Sequence, residues 1–349
     1  MKDKLQIEEN ITLAQFTTLK IGGTARYFIK AESREDIIQA FEWTVSNDIK
    51  LFILGGGSNI LISDEGFDGL VLQIALKGIV EEKEDDNVFI TVQAGEDWDS
   101  FVAFCVERNY AGVECLSGIP GFVGGTPVQN VGAYGQEVSE TIFSVSVYDR
   151  KQNRVIELDN KQCGFTYRQS IFNTTEKERY IVLSVTFALT QDGAPVVRYK
   201  DLQNYFHDKN LPTLQDVRKA VIEIRSQKSM VINENDPNSK SAGSFFKNPI
   251  VSNEDFLKIE SAVDETVPHF SAGNGNVKIP AAWLIERAGF QKGYVKGNTG
   301  LSSNHTLAII NRGGATANDV IELMQEIKLK VEEKFSIQLY PEPVFVGFK

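Results

Sequence analysis

Residues 117–135 read SGIPGFVGGTPVQNVGAYG, and the fold turns on how they are understood. They sit inside the longest uncharged stretch, Cys115 to Gln136, which has the length to span a bilayer but carries six glycines, two prolines, Gln129 and Asn130. Such a backbone cannot stay helical in lipid, where every peptide group must be satisfied internally. The stretch is therefore a loop, and long loops without structure of their own tend to be functional. A second glycine cluster, LGGGSN at 54–59, follows directly on a short apolar strand, Leu51–Leu54. Glycines at such a place let backbone N–H groups approach an anion with no Cβ in the way. Together the two loops are suited to wrap a pyrophosphate and the polar edge of a planar ring.

Outward from these loops, the pattern alternates irregularly between strands and helices. Residues 25–31 read as a strand, and Ser33 with Asp36 forms a capping box for a helix whose face is expected to carry Ile37, Ile38, Phe41 and Val45. Residues 88–94 alternate like a strand, and Asp97 opens a helix to about Arg108. Strands are expected near 143–148 and 181–189, and a helix near 216–227. Residues 230–240, MVINENDPNSK, have little hydrophobic period and several turn formers, so they read as a boundary loop. Helices near 254–263, 281–288 and 317–334 follow, with strands at 307–310 and 341–347. The last strand is too short to fold alone and must pair with something already built. Irregular interleaving favours an α+β fold over a doubly wound sheet.

Composition bounds the function. The 349 residues suggest two or three domains at roughly 150 residues each. With 42% hydrophobic and 24% charged residues the chain can bury a full core. A net charge of −11 repels nucleic acid and anionic lipid unless a local basic pocket intervenes, which favours a small-molecule substrate. Cys105, Cys115 and Cys163 form no CxxC pair and read as buried small residues in a reducing compartment. The N-terminus MKDKLQIEEN has charges where a signal peptide needs an apolar core, so a cytoplasmic location is expected.

Several familiar chemistries are missing from the sequence. No GxGxxG follows a strand, no Gly-Lys dipeptide supplies a phosphate loop of the Walker type, and neither GxSxG nor HExxH occurs. The histidines, His207, His269 and His305, are scattered, so no metal site is expected.

The two glycine loops resemble the flavin-binding loops of the UDP-N-acetylenolpyruvoylglucosamine reductase (MurB) family. The resemblance continues in order through CGFTYRQSIF (163–172), SAGSFFKNP (241–249), WLIERAGFQKG (283–293) and PEP (341–343), and so covers nearly the whole chain. VRYKD (197–201) is similar to the mobile tyrosine loop of the family's longer type. The implied fold is a vanillyl-alcohol-oxidase-like FAD-binding unit of two subdomains plus a separate α+β substrate-binding domain. The implied division is 1–63, joined by a C-terminal strand at 342–349, then 64–226, then 227–341.

The resemblance also implies the chemistry. FAD, held non-covalently, would lie against Gly55, Gly56, Gly57, Ser58, Asn59, Ile119, Pro120, Gly121, Gly125, Thr126, Gln129, Asn130, Gly132, Ala133 and Tyr134. NADPH would be the hydride donor, and the enolpyruvyl ether of UDP-N-acetylglucosamine would be reduced to UDP-N-acetylmuramate for peptidoglycan synthesis. Arg168 would hold the substrate carboxylate, Ser244 would protonate the carbanion, and Glu342, fixed between Pro341 and Pro343, would act near the intermediate. Tyr167, Tyr199, Lys228, Asn248, Lys292 and His305 would contact the nucleotide sugar. Val344 stands where some relatives carry arginine. No nucleic-acid, membrane or metal partner is implied, and a monomer is expected. A flavin oxidase or dehydrogenase of the same superfamily is the alternative enzyme, and a flavin- or nucleotide-sugar-binding protein without catalysis is the alternative of another class. SAGSFFKNP, PEP and the lack of a histidine in the glycine loops speak against the first.

Overall fold

The structure, a computed structural model, describes residues 5–84, 87–207 and 211–348, so part of the charged N-terminal start lies outside it. The chain forms two compact units. The first takes the chain up to Ile11, Ala25–Gly57 and Asp68–Val231; the second takes Thr12–Thr24, Ser58–Phe67 and the chain from Ile232 on. The 231/232 division falls inside the turn-rich segment 230–240, which holds a short 3-10 turn at Pro237–Ser239.

In the first unit the strand Leu51–Leu54 runs parallel to Phe67–Ile74, with Leu51 opposite Leu70 and Leu54 opposite Gln73. Thr24–Ala31 lies on the other side of that partner, and Glu8–Thr12 forms the far edge. The helix Arg34–Ser46 starts as its sequence dictates: Ser33 Oγ accepts from the Asp36 amide at 3.1 Å and the Asp36 carboxylate accepts from the Ser33 amide at 2.9 Å. Its buried side is Ile37, Ala40 and Thr44, not a face running to Val45, which is 65% exposed. At 3.6 residues per turn Val45 stands about 80° round from Ile37, whereas Thr44 lies almost above it.

An antiparallel sheet follows, in the order Arg154–Asp159, Ile142–Asp149, Tyr180–Gln191, Asn87–Gln93, Ile79–Glu84. Val88, Ile90 and Val92 are fully buried, the period-2 alternation of a strand with one face on a core. The helix Trp98–Glu107, capped by Asp97, packs there through a cluster of Trp98, Phe101 and Phe187. The helix expected near 216 begins at Leu214, because Thr213 and Asp216 form a capping box two residues earlier.

The core of the second unit gathers Phe245, Phe246, Leu284, Ile285, Val320, Leu323, Ile327 and Val331 around the long helix Ala317–Phe335. The strand expected at 341–347 shrinks to Val344–Val346, since Pro341 and Pro343 have no N–H to give a ladder. It pairs in parallel with Ile60–Ile62, Val344 facing Ile60 and Val346 facing Ile62. The mixed, largely antiparallel pairing is the α+β class expected. All three cysteines are buried and free. Among the described residues no helix is long and apolar enough to cross a membrane, and no cluster of potential metal ligands occurs.

Candidate active site

The first glycine loop leaves the strand Leu51–Leu54 and meets the second. A Cβ on Gly56 would lie 2.7 Å from the Cα of Gly121, so the two backbones can approach this closely because Gly56 has no side chain. Beside this contact, a Cβ on Gly55 or on Gly125 would find nothing within 4 Å. Gly57 lies at φ +66°, a left-handed turn that directs the chain onward.

The helix Trp98–Glu107 fixes the second loop from below. The Trp98 amide donates to Gly121 O at 3.0 Å and the Trp98 indole donates to Leu116 O at 3.0 Å. Asp99 accepts from the Gly118 amide at 2.5 Å and from both Arg218 nitrogens at 2.6 and 2.9 Å. Burial works against the Asp99 charge, yet the bonds from Arg218 and Gly118 outweigh it and hold the carboxyl below its usual range. Arg225, only 8% exposed, donates to Gly118 O at 3.2 Å and to Met230 O at 2.7 Å.

The remaining loop residues divide by how their side chains are spent. Thr126 is buried with its hydroxyl on Val123 O, and Asn130 bonds Glu137, the Thr166 carbonyl and the Ser139 amide. Both side chains are thus engaged within the first unit. Gln129, Ile119 and Pro120 are half-buried, and Gly132-Ala133 forms a tight hairpin with Gln136-Glu137 that presents Tyr134 at φ +49°.

Arg168 belongs to the same unit. It turns at φ +57° and donates to Gly132 O at 2.7 Å and Asn130 O at 3.4 Å, its guanidinium 5.2 Å from the Tyr167 ring. Tyr199 stands at the N-cap position of the helix Lys200–Phe206, at the end of the irregular stretch 193–199, and its ring meets Tyr134 edge-on at 5.6 Å. Burial pushes both phenols above their ordinary range. Lys228 ends the helix Leu214–Gln227 and pairs with Asp201 at 2.8 Å.

The other expected residues lie in the second unit. Ser244 sits in a turn opened by Gly243 at φ +76°, and the next residue, Phe245, donates its amide to Leu307 O at 2.8 Å. The Glu342 amide donates to Phe245 O at 2.9 Å, so the Ser244 and Glu342 segments run side by side. Ser58 and Asn59 group with them: the Asn59 amide group donates to Glu342 O at 3.4 Å, and Val344 donates to Asn59 O at 3.0 Å. Asn248 caps the helix Ala281–Arg287 by accepting from the Ala281 amide at 2.9 Å. Lys292 is exposed, and His305 is half-buried in the turn before Ile309–Asn311.

A backbone cradle of two touching glycine loops, with open space at Gly55 and Gly125, fits a dinucleotide cofactor of the FAD kind. Residues 25–159 match the family described as FAD binding domain, and residues 236–346 match UDP-N-acetylenolpyruvoylglucosamine reductase, C-terminal domain. The UDP-N-acetylenolpyruvoylglucosamine reductase of Thermobifida fusca is 45% identical over 97% of this chain and 97% of its own length. The chain belongs to the UDP-N-acetylenolpyruvoylglucosamine reductase family.

The Streptomyces coelicolor member of that family is 43% identical over 96% of this chain and 89% of its own length. The crystal structure of the Thermus caldophilus member shares the fold, with a TM-score of 0.66 at 23% identity and 99% of each chain covered. As a member of the reductase family the chain is a flavoprotein oxidoreductase of peptidoglycan precursor synthesis, with FAD as its cofactor. Sequence reasoning missed Asp99, Arg218 and Arg225, which hold the second glycine loop. Asp99 and the arginines carry no local signal, because their loop partners are set by helix packing.

Proposed function

We propose that the chain reduces the enolpyruvyl ether of UDP-N-acetylglucosamine to UDP-N-acetylmuramate with NADPH as reductant. The observation that carries this reading is the hydrogen bond from the Glu342 amide to Phe245 O, which holds the Ser244 and Glu342 segments side by side. Bound FAD supplies hydride transfer between the nicotinamide and the alkene. The residues must then manage the charge that hydride addition to the terminal carbon places on the adjoining carbon and its carboxylate. Arg168 holds that carboxylate through its planar donors, which keep their charge as the carboxylate becomes more anionic. Ser244 Oγ gives its proton to the carbanionic carbon and recovers one from solvent; only a strongly basic carbon in direct contact makes a serine an adequate acid. Glu342 works with Arg168 in stabilising the intermediate.

Tyr167, Tyr199, Lys228, Asn248, Lys292 and His305 are assigned to the nucleotide sugar, with Lys228 serving the phosphates. The division 1–63 with 342–349, 64–226 and 227–341 belongs to the same proposal, the first two parts holding cofactor and the third substrate.

An anaerobic absorbance titration tests the reading. A flavin band near roughly 450 nm should bleach with NADPH and return only when the enolpyruvyl nucleotide sugar is added. A Ser244→Ala protein should bleach normally but recover about 10²–10⁴-fold more slowly. Recovery at the normal rate removes Ser244 from the proton step, and no recovery of the unaltered protein removes this substrate.

A further inference from the structure

Thr18 lies in TTLKIGG, residues 17–23, none of which is among the residues assigned above to cofactor, substrate or proton transfer. Its half-buried hydroxyl donates to Ser241 O at 2.6 Å, a partner 223 residues away, and stands 3.4 Å from Ser58 O. A hydroxyl has one proton to give, so the short bond to Ser241 is the strong one and Ser58 takes the weaker share.

The segment bearing Thr18 is itself held. Asn311 donates to Leu19 O at 3.1 Å and Lys20 O at 3.3 Å, and Ile310, its neighbour, bridges to Ser241. Ser241 opens the turn that carries Ser244, and Phe245, bound to Leu307, closes it. The Ser244 turn is thus gripped on both sides, and the upstream grip includes a single side-chain hydroxyl. The neighbour of Ser58, Asn59, meanwhile holds Glu342 O. Ser58-Asn59 is therefore linked to the Ser244 turn through Thr18 and to Glu342 through Asn59, all within the second unit.

We propose that Thr18 is a positioning residue for proton transfer: its hydroxyl holds the Ser241–Ser244 turn in register with Ser58, so that Ser244 Oγ meets the substrate carbon. The proposal rests on Ser244 being the proton donor. Proton transfer requires near-contact geometry, and a displacement of about 1 Å can cost roughly 10²-fold in rate.

The test compares holoenzyme with Thr18→Val, which keeps the branched shape without the donor, and Thr18→Ser, which keeps the donor. Thr18→Val is expected to leave flavin bleaching by NADPH unchanged and slow recovery by the enolpyruvyl nucleotide sugar about 10- to 10²-fold. Its solvent deuterium isotope effect on recovery should rise, and the amides of residues 241–246 should exchange faster in hydrogen-exchange mass spectrometry. Thr18→Ser should restore all three readouts. Ser244→Ala is measured beside them. If Ser244→Ala recovers slowly while Thr18→Val matches the unaltered protein in recovery and exchange, the role of Thr18 is overturned. If Ser244→Ala itself recovers normally, the donor assignment beneath the proposal fails instead. Should Thr18→Val fold poorly, Thr18→Ser and Thr18→Ala carry the comparison, and equal slowing of bleaching and recovery in Thr18→Ala overturns the proposal.

Discussion

The Glu342 amide donates to the carbonyl of Phe245 at 2.9 Å, and this bond joins two segments that are 97 residues apart in the chain. Lys247, donating to Tyr340 O at 3.0 Å, extends the pairing by another rung. Because the bond uses backbone, side-chain chemistry at Glu342 can be altered without dismantling it.

Glu342→Gln keeps the backbone hydrogen bond to Phe245 and the side-chain volume. The expected result is an unchanged melting temperature, normal flavin bleaching by NADPH, and recovery by the enolpyruvyl substrate slowed by about 10²-fold. Stopped-flow absorbance separates the two steps, and a variant with both at full rate would remove Glu342 from the chemistry.

Gly55 and Gly56 differ in what surrounds them, and their alanine variants should differ too. Gly56→Ala sets a Cβ 2.7 Å from the Gly121 Cα and must drive the loops apart, costing about 1–3 kcal/mol in the apoprotein as well as weakening FAD. Gly55→Ala meets no protein atom within 4 Å, so the apoprotein should melt as before while FAD binding weakens. Thermal melts of apoprotein and fluorescence titration with FAD check the pair; equal melts for both variants would contradict the loop contact.

Lys228 and Asp201 form an ion pair at 2.8 Å with each side chain 38% exposed. A pair this exposed contributes only about 0–1 kcal/mol to stability. Asp201→Asn should therefore leave the melting temperature nearly unchanged, yet lower KM for the nucleotide sugar, because Lys228 no longer shares its charge with a carboxylate. A higher KM would show that Asp201 serves to hold Lys228 in place.

Asp149 is buried and accepts from Arg179 at 2.7, 3.1 and 3.2 Å, and from the Lys151 and Gln152 amides. The Arg179 bonds hold its carboxyl below the usual carboxylate range, against the opposing effect of burial. A depressed folded-state pKa adds stability above the unfolded value, near 4, and that stability is lost as pH falls through the folded value. Asp149→Asn should lower the urea midpoint at pH 7, and the gap to the unaltered protein should narrow below about pH 4. A gap independent of pH would mean that packing, not charge, is what the substitution disturbs.

Much of the architecture is legible because its causes are local. Ser33 with Asp36 and the lone Asp97 cap announce helix starts within a few residues of themselves, and Val88, Ile90 and Val92 show a strand by alternation alone. The glycine loops stand out by residue type, and the Ser244, Arg168 and Glu342 segments through the family resemblance. Errors arose where the choice depended on packing. Val45 fits a helical stripe by spacing but turns to solvent, and Pro341 and Pro343 confine the last strand to Val344–Val346.

By itself the sequence determined the α+β class, the family, the two glycine-rich loops and the residue types suited to the chemistry. Only the tertiary structure decided which side chains are spent inside the protein and which loops touch. Thr126, Asn130 and Asn248 are committed to internal bonds, Gly56 meets Gly121, and Thr18 and Asn59 find partners 223 and 283 residues away. Caps and periodicity act over one or two turns of chain, so they are written in neighbouring residues. A hydroxyl or amide, by contrast, takes whatever partner the packed core brings within about 3 Å, and that is settled by the whole chain at once.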